Sequence, residues 1–302
     1  MKKDFLSIWD LSSCEIYNLF QLADKLRFLV KKNKNYKPLR NKFCALIFEK
    51  PSTRTRVSFE VGARELGANT LFLSAQEIHL GRGESIEDTA KVLSRYVDAV
   101  IIRTYGHERI VRFAQAADIS VINALSDLLH PCQAMADYYT LWQRGKLNGI
   151  KFAYVGDGNN VCHSLILGAA KLGVEMVVAT PQNYSPQPSI MEKAKSIGAK
   201  INLTTDPKEA VKEADVIYTD VWTSMGKEKE REERKKIFQP YQVNLHLLSL
   251  AKPDALVMHC LPAHRGEEIT DEVIDGKQSI VFEQAENRLH IQRAILVDRL
   301  VD

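Results

Sequence analysis

One cluster of polar residues near the start of the sequence has the groups needed to bind an anion. Ser52-Thr53-Arg54-Thr55 follows an apolar run that ends at Phe48, and it opens a helix-like pattern. The first turn of a helix offers unpaired backbone N–H groups and the positive end of the helix dipole. An arginine adds a planar pair of donors that matches phosphate oxygens. Taken alone, the cluster is equally consistent with a simple helix cap beside a surface arginine.

Two further polar clusters lie beyond apolar runs in the same half of the chain. Arg103 directly follows the run 99–102, while His130-Pro131-Cys132-Gln133 comes after the run 120–123 and opens another helix. Ligands of open α/β sheets gather where the carboxyl ends of the strands meet. His130 alone would be better explained as a buried structural histidine. The three clusters together favour one shared anion site.

The second half of the chain carries a carboxylate and a thiol in similar positions. Asp220 and Cys260 each follow a short apolar run, at 216–218 and 255–258. A cysteine thiol has an ordinary pKa near 8.5, so a thiolate is accessible where the surroundings are positively charged. Without its neighbours, Cys260 would be expected to be a small buried residue.

The segment Gly156-Asp157-Gly158-Asn159-Asn160-Val161 is superficially similar to a dinucleotide-binding loop. The third glycine of such a loop would fall at 161, where valine stands, and the next apolar run ends near Thr180 instead of at an acidic residue. That acidic residue would bind the ribose of the nucleotide. The sequence therefore argues against a nucleotide cofactor.

The elements that must position these residues alternate along the chain. Short apolar runs, typical of parallel strands buried on both faces, are separated by longer amphipathic segments. The runs lie at 43–48, 70–73, 99–102, 120–123, 152–155, 176–179, 216–218 and 255–258. This pattern predicts an α/β fold of two doubly wound domains, each with a mainly parallel sheet flanked by helices. The final segment, 285–302, is predicted to be one helix.

Composition excludes several classes of protein. No run approaches eighteen apolar residues, so we expect no membrane span. The 41 Lys and Arg against 38 Asp and Glu give a net charge of +3, which argues against nucleic-acid binding but allows a local basic site. The start of the chain has no long apolar segment typical of a secretory signal. The five cysteines form no CxxC pair and have no zinc-type spacing to histidine, which predicts reduced thiols and no metal.

Residues 227–236, KEKEREERKK, form an uninterrupted charged run. Glu230–Arg234 and Glu232–Lys236 have the spacing of favourable pairs on a helix. Such a run is usually in contact with solvent, so we predict a solvated helix or a mobile loop.

The ordered motifs of the whole chain are similar to those of the ornithine carbamoyltransferases, within the aspartate/ornithine carbamoyltransferase family. The motifs are Ser52-Thr53-Arg54-Thr55, Arg103, His130-Pro131-Cys132-Gln133, Asp220 with Ser224-Met225-Gly226, His259-Cys260-Leu261-Pro262 and Asn287-Arg288-Leu289-His290. The first two are shared with the aspartate branch of the family. The Ser-Met-Gly and His-Cys-Leu-Pro motifs indicate the ornithine branch.

The resemblance implies transfer of the carbamoyl group of carbamoyl phosphate to the δ-amine of L-ornithine, which gives L-citrulline and phosphate without a cofactor. It implies a carbamoyl phosphate site made of Ser52, Thr53, Arg54, Thr55, His79, Arg103, His130, Pro131, Cys132, Gln133, Cys260, Leu261 and Arg288. It implies ornithine contacts from Asn160, Asp220, Ser224 and Met225. The implied catalytic residues are Arg103, His130, Asp220 and Cys260, and whether Cys260 or Asp220 takes the proton of the amine stays open.

The resemblance also implies an organisation and an assembly. The alternating pattern restarts after residue 150, so we place the domain boundary near Gly145-Lys146-Leu147-Asn148-Gly149. By the resemblance, residues 1–147, with the helix 285–302 returning to them, would bind carbamoyl phosphate, and residues 148–284 would bind ornithine. The family forms trimers in which the loop 80–84 reaches a neighbour, so a homotrimer or a multiple of trimers is expected. The reduced cysteines predict a location in the cytoplasm. His79 precedes that loop, at a position where glutamine is common.

Two alternatives stay open from the sequence. A sister enzyme would use putrescine or an acylated ornithine instead of ornithine, although putrescine lacks the groups that Asn160, Asp220 and Ser224 would bind. A non-catalytic relative would only bind a phosphorylated metabolite. The direction of metabolism, toward arginine or away from it, is also left open.

Overall fold

The computed structural model describes residues 4–32, 35–74, 83–223 and 230–301. The chain forms two compact units: a first unit of Met1–Tyr139 with Glu286–Asp302, and a second unit of Thr140–Ala285. Both divisions fall inside helices, because one helix spans Pro131–Gln143 and another spans Val281–Leu300. The predicted boundary between 147 and 148 stays a prediction.

The first unit is built on a parallel sheet. Its strands are β1 (Phe43–Phe48), β2 (Asn69–Ser74), β3 (Ala99–Arg103) and β4 (Ser120–Leu125), in the order β2-β1-β3-β4. Its helices are α1 (Ser13–Lys32), α2 (Thr53–Glu65), α3 (Ile86–Leu93), α4 (His107–Ala116), the start of α5 (Pro131–Gln143) and most of α12 (Val281–Leu300). Buried side chains such as Ile47, Val100 and Val121 pack this sheet against Phe113 of α4. The apolar runs of the strands are continuous because both faces of a parallel sheet are covered.

The second unit is also built on a parallel sheet. Its strands are β5 (Lys151–Val155), β6 (Glu175–Ala179), β7 (Ile201–Thr204), β8 (Val216–Thr219) and β9 (Leu256–His259), in the order β7-β6-β5-β8-β9. Its helices are α6 (Asn160–Leu172), α7 (Pro188–Ser196), α8 (Pro207–Val211), α9 (Arg231–Phe238), α10 (Leu245–Leu248) and α11 (Asp271–Ile274). The buried core includes Val155, Ile217 and Val257 from three adjacent strands.

The structure confirms the predicted fold class and adds one strand. β7 lies at the edge of the second sheet, where Asn202 and Leu203 are exposed. Its four residues, Ile-Asn-Leu-Thr, lack the continuous apolar run that marks the other strands. Within the described residues, no helix is long and apolar enough to cross a membrane.

The register of each sheet brings chemically interesting segments together. In the first sheet Phe48 of β1 pairs with Arg103 of β3, so the loop after β1 lies beside Arg103. In the second sheet Thr219 pairs with both Val155 and His259. The segments that begin at Gly156, Asp220 and Cys260 therefore leave the sheet side by side.

Candidate active site

The loop after β1 leads directly into the N-terminus of α2, whose first residues are hydrogen-bond donors. Ser52 is the N-cap of α2 in an extended conformation, and its Oγ accepts a hydrogen bond from the Thr55 N–H at 3.2 Å. Thr53 and Arg54 occupy the first turn of α2 and are exposed, whereas Thr55 is buried. The exposed arginine at this positive helix end can reach a ligand in solvent.

Arg288 of α12 joins two of the predicted clusters within the first unit. Its Nη1 donates to Gln133 Oε1 at 2.5 Å, and its Nη2 donates to Thr55 Oγ1 at 3.2 Å. Gln133 Nε2 in turn donates to Asp137 Oδ1 at 2.8 Å, which fixes the orientation of the Gln133 amide. Three separate segments of the chain therefore meet around one guanidinium group.

His130 shows that the arginines share one environment. Burial lowers the pKa of His130 well below its ordinary value of 6.5, and the charges of Arg288, Arg103 and Arg54 lower that pKa further. The imidazole is therefore neutral at physiological pH and offers one N–H donor and one acceptor. Three cations around a neutral imidazole form a positive site at the carboxyl end of the first sheet.

The side chains of this positive site differ in their exposure to solvent. Arg103 and Arg288 are each only 4% exposed, and His130 is 6% exposed. Arg54 is the exposed member of the set. Guanidinium groups held below the surface lose little conformational freedom when a ligand arrives, because packing already restricts them.

Pro131 and Cys132 begin α5 and are buried. The Cys132 thiol donates to the Asn123 carbonyl of β4 at 3.3 Å, and burial raises its pKa to about 12. Its side chain is thus a neutral thiol engaged within the fold. A contact of Cys132 with substrate would have to come from its backbone.

In the second unit, a thiol and a carboxylate are in direct contact. Cys260 Sγ donates to Asp220 Oδ1 at 2.9 Å. The Asp220 carboxylate also accepts from the Val221 N–H at 2.8 Å and from Asn159 Nδ2 at 2.8 Å. Asp220 is 5% exposed, while Cys260 is partly exposed. The carboxylate is thus fixed as a hydrogen-bond acceptor, and the thiol is oriented toward it as a donor.

The turn that carries Cys260 is stabilised by the buried pair of His259 and Glu268. Leu261 has a φ of 55°, and the Leu261–Pro262 peptide bond is cis. The Leu261 N–H donates to His259 Nδ1 at 2.9 Å, so the other ring nitrogen of a neutral His259 carries the proton. That nitrogen lies 3.1 Å from Glu268 Oε1, and both side chains are fully buried.

Asn159 is a residue of this site that the sequence reasoning did not single out. Its Oδ1 caps α6 by accepting from the Val161 and Cys162 N–H groups, while its Nδ2 holds Asp220. Asn160, the predicted ornithine contact, is the first residue of α6 and is half-buried. The preference of asparagine for the N-cap could have identified Asn159 from the sequence.

The charged run 227–236 contains a buried arginine that the sequence did not predict. In the described part of the run, the predicted solvated helix is present as α9, where Arg231, Glu232, Glu233 and Lys235 are exposed, but the prediction is wrong for Arg234, which is 2% exposed. Arg234 donates to Asp157 Oδ2 at 2.5 Å and to the Trp222 carbonyl at 2.6 Å, and it lies over the Tyr184 ring. It therefore fixes the loop after β5 and the segment just beyond Asp220.

Some predicted residues lie outside the described part of the chain. These are His79, residues 80–82 of the predicted loop, Ser224, Met225 and Gly226 of the Ser-Met-Gly motif, and residues 227–229 of the charged run. The expectation of no metal also stays a prediction. Asp220, His259 and Cys260 bring three ligand-type atoms within 4.8 Å of one another, and each of these residues makes the hydrogen bonds described above.

The fold and these groups define a class of protein. Two parallel α/β units, one with arginines around a neutral histidine and one with a thiol–carboxylate pair, have the groups of an enzyme for anionic substrates. The chain belongs to the aspartate/ornithine carbamoyltransferase family. The family's carbamoyl-P binding domain matches residues 3–143, and its Asp/Orn binding domain matches residues 148–298.

Similar proteins carry a more specific name. The ornithine carbamoyltransferase of Archaeoglobus fulgidus is 57% identical, with 99% of this chain and 97% of that protein aligned. The solved structure of ornithine carbamoyltransferase from Pyrococcus furiosus is 52% identical, with a TM-score of 0.95 over 99% of this chain and 97% of that one. The structure of an anabolic ornithine carbamoyltransferase from Campylobacter jejuni is 42% identical, with a TM-score of 0.92 and 98% of both chains covered.

Proposed function

We propose that this chain catalyses transfer of the carbamoyl group of carbamoyl phosphate to the δ-amine of L-ornithine, giving L-citrulline and phosphate. The observation that carries the proposal is the positive site of the first unit, where Arg288 bonds to Gln133 and Thr55 and where the charges of Arg288, Arg103 and Arg54 all lower the pKa of His130. The family's carbamoyl-P binding domain covers this same part of the chain. No cofactor is part of the proposal.

The first unit would hold and activate carbamoyl phosphate. Ser52, Thr53, Arg54, Thr55 and Arg103 would bind the phosphate and spread its growing charge as it leaves. His130 and Gln133 would hold the carbamoyl group, and Arg288 would complete the site through its bonds to Gln133 and Thr55. Donors fixed before the reaction stabilise the developing charge without reorganising.

The second unit would supply the nucleophile in its reactive form. An alkyl ammonium with a pKa of about 10.4 must lose a proton to attack, which costs about 4 kcal/mol near pH 7.4. Asp220 is the proposed acceptor of this proton, with Cys260 as its hydrogen-bonded neighbour. Loss of water around the amine disfavours the charged form and lowers that cost. Asn160, Ser224 and Met225 are the further proposed ornithine contacts, and Leu261 is proposed to contact carbamoyl phosphate.

We further propose a homotrimer, or a multiple of trimers, located in the cytoplasm. Val57 and Val61 lie one turn apart on α2 and are 52% and 39% exposed, and Leu71 on the edge strand β2 is 46% exposed. An apolar face beside an edge strand favours association with another chain. All five cysteines are free thiols, which supports a reducing compartment. Mass measurement by light scattering tests the assembly.

The experiment that tests the function measures carbamoyl transfer by the purified protein, through release of phosphate and identification of the carbamoylated product, which is citrulline for ornithine. Carbamoyl phosphate is supplied with ornithine, putrescine, N-acetylornithine or aspartate in parallel reactions. We expect turnover with ornithine far above that with the other three amines. A higher rate with putrescine or N-acetylornithine would favour the sister enzymes, and binding of carbamoyl phosphate without turnover of any amine would favour a non-catalytic relative.

A further inference from the structure

Glu49 directly follows β1 and makes four hydrogen bonds, three with the end of β3 and one with Arg109 of α4. Its carboxylate accepts from the Thr104 hydroxyl, from the Tyr105 N–H at 3.3 Å, and from Arg109 Nη2 at 2.8 Å. Its own backbone N–H donates to the Arg103 carbonyl at 2.8 Å. The Glu49 side chain is 12% exposed, so these bonds are largely shielded from water.

These contacts fix the backbone on the carboxyl side of Arg103. The carbonyl of Arg103 accepts from the Glu49 backbone, and the next two residues donate to the Glu49 carboxylate. Three residues after Glu49 comes Ser52, the cap of the helix that carries Arg54. Lys50 adds a contact between the same two strand ends, with its Nζ 4.2 Å from the centre of the Tyr105 ring.

We propose that Glu49 is a positioning residue for carbamoyl phosphate binding, which acts by fixing the end of β3 that carries Arg103 against the end of β1 that leads to Arg54. This inference rests on the proposed function, because it assigns Arg54 and Arg103 to the phosphate. Glu49 itself does not touch the substrate. Glu49 acts by setting the distance between Arg54 and Arg103.

Electrostatics distinguishes positioning from a simple charge effect. A carboxylate near an anion site repels the anion, so loss of the Glu49 charge should strengthen carbamoyl phosphate binding if charge alone mattered. Removal of the Glu49 carboxylate would also leave Arg109 without this ion pair, and the unneutralised Arg109 charge should likewise strengthen binding of the anion. A positioning role predicts the opposite sign, namely weaker binding.

The first unit offers a matched control at the other end of the same two strands. Asp98 accepts from the Phe43 N–H at 2.8 Å and from Lys42 Nζ at 3.0 Å, and so joins the amino ends of β1 and β3. Glu49 and Asp98 thus make similar bonds between the same strands. Only Glu49 lies at the carboxyl end, where Arg103 stands.

The experiment compares Glu49→Ala, Glu49→Gln and Asp98→Ala. The dissociation constant for carbamoyl phosphate is measured by calorimetry, and KM for both substrates by citrulline release. For Glu49→Ala we expect binding of carbamoyl phosphate about tenfold weaker or worse, with KM for ornithine within about twofold of the wild type. Glu49→Gln should recover part of the affinity, since its amide oxygen still accepts from Thr104 and Tyr105. Asp98→Ala should lower the melting temperature without weakening carbamoyl phosphate binding.

Two results would overturn the inference. One is unchanged or tighter carbamoyl phosphate binding by both Glu49 variants, and the other is an equal loss of affinity in Asp98→Ala. The folded, conservative Glu49→Gln variant keeps the test valid if Glu49→Ala fails to fold. Failure of the proposed function is a separate outcome, because it would appear as wild-type protein that forms no citrulline from ornithine.

Discussion

The guanidinium group of Arg288 donates to the amide oxygen of Gln133 at 2.5 Å across 155 positions of the sequence. Arg288 also donates to the Thr55 hydroxyl, so α12 reaches both helix starts of the proposed carbamoyl phosphate site. The C-terminal helix is therefore part of the site as well as part of the fold of the first unit. Any change that displaces α12 should impair carbamoyl phosphate binding.

Arg54 and Arg56 form a matched pair for testing the site. We expect Arg54→Gly to weaken carbamoyl phosphate binding by about 100-fold, since a charged hydrogen bond of about 1.5–3 kcal/mol is lost. Arg56 pairs with Glu60 at 2.9 Å and lies over the Phe72 ring, so Arg56→Gly should leave binding almost unchanged. Calorimetry on both variants makes the comparison. Equal affinities for the two variants would remove Arg54 from the site.

His130 should make stability depend on pH in a defined direction. In the unfolded chain its pKa returns to about 6.5, whereas burial and three arginines hold the folded pKa well below that value. Between these two values the unfolded state binds a proton that the folded state does not. The free energy of unfolding therefore falls as the pH falls below about 6.5, by at most about 1.4 kcal/mol per pH unit. Above that pH the term vanishes.

The measurement is denaturant unfolding of the wild type and His130→Asn at pH 7.5 and pH 5.5, in a buffer without phosphate. The wild type should lose more stability than the variant on acidification, because asparagine does not titrate. The same pH dependence in both proteins would show that His130 is not held neutral.

Cys260→Ser tests the proton-transfer part of the proposal. We expect kcat for citrulline formation to fall by about 100-fold, in the range of general acid–base effects, because the thiol beside Asp220 is lost. Binding of carbamoyl phosphate should change little. Cys14→Ser, at an exposed position in α1, is the control and should keep full activity. A severe loss of carbamoyl phosphate affinity in Cys260→Ser would contradict the proton-transfer role and show that the residue acts mainly in carbamoyl phosphate binding.

The buried pair of Arg234 and Asp157 should be important for the stability of the second unit. Arg234→Met leaves the Asp157 carboxylate buried without its cation, which typically costs about 3–5 kcal/mol of unfolding free energy. The double variant with Asp157→Asn should recover part of that loss. Arg231→Met, which removes an exposed cation of the same helix, should leave stability nearly unchanged. Denaturant unfolding of the four proteins checks this, and a similar effect of both single arginine changes would contradict the assignment.

The fold could be predicted because parallel strands buried on both faces leave a strong sequence signal. Runs such as 99–102 and 152–155 have no other simple explanation once helical segments separate them. β7 was not predicted because it is a four-residue edge strand with only two apolar side chains, and one of these, Leu203, is exposed. It therefore lacks the continuous apolar run that identifies the other strands.

The site could be predicted in part, where function requires a residue type at a strand end. Ser52, Arg103 and His130 are identifiable in this way, and the structure brings Arg54, Arg103 and Arg288 around His130. Arg234 and Glu49 could not be identified, because charged residues in polar segments are normally solvated. Their burial depends on partners far away in the sequence, Asp157 for Arg234 and Arg109 for Glu49. No local pattern reports such a pairing.

The central claim is that separate strand ends form a single anion site, and a crystal structure of the protein with carbamoyl phosphate tests it most directly. The account predicts a phosphate group at the N-terminus of α2, within hydrogen-bonding distance of Arg54 and Arg103, with the carbamoyl group near His130 and Gln133. Phosphate density at another position, with Arg54 and Arg103 both turned away from it, would contradict the account.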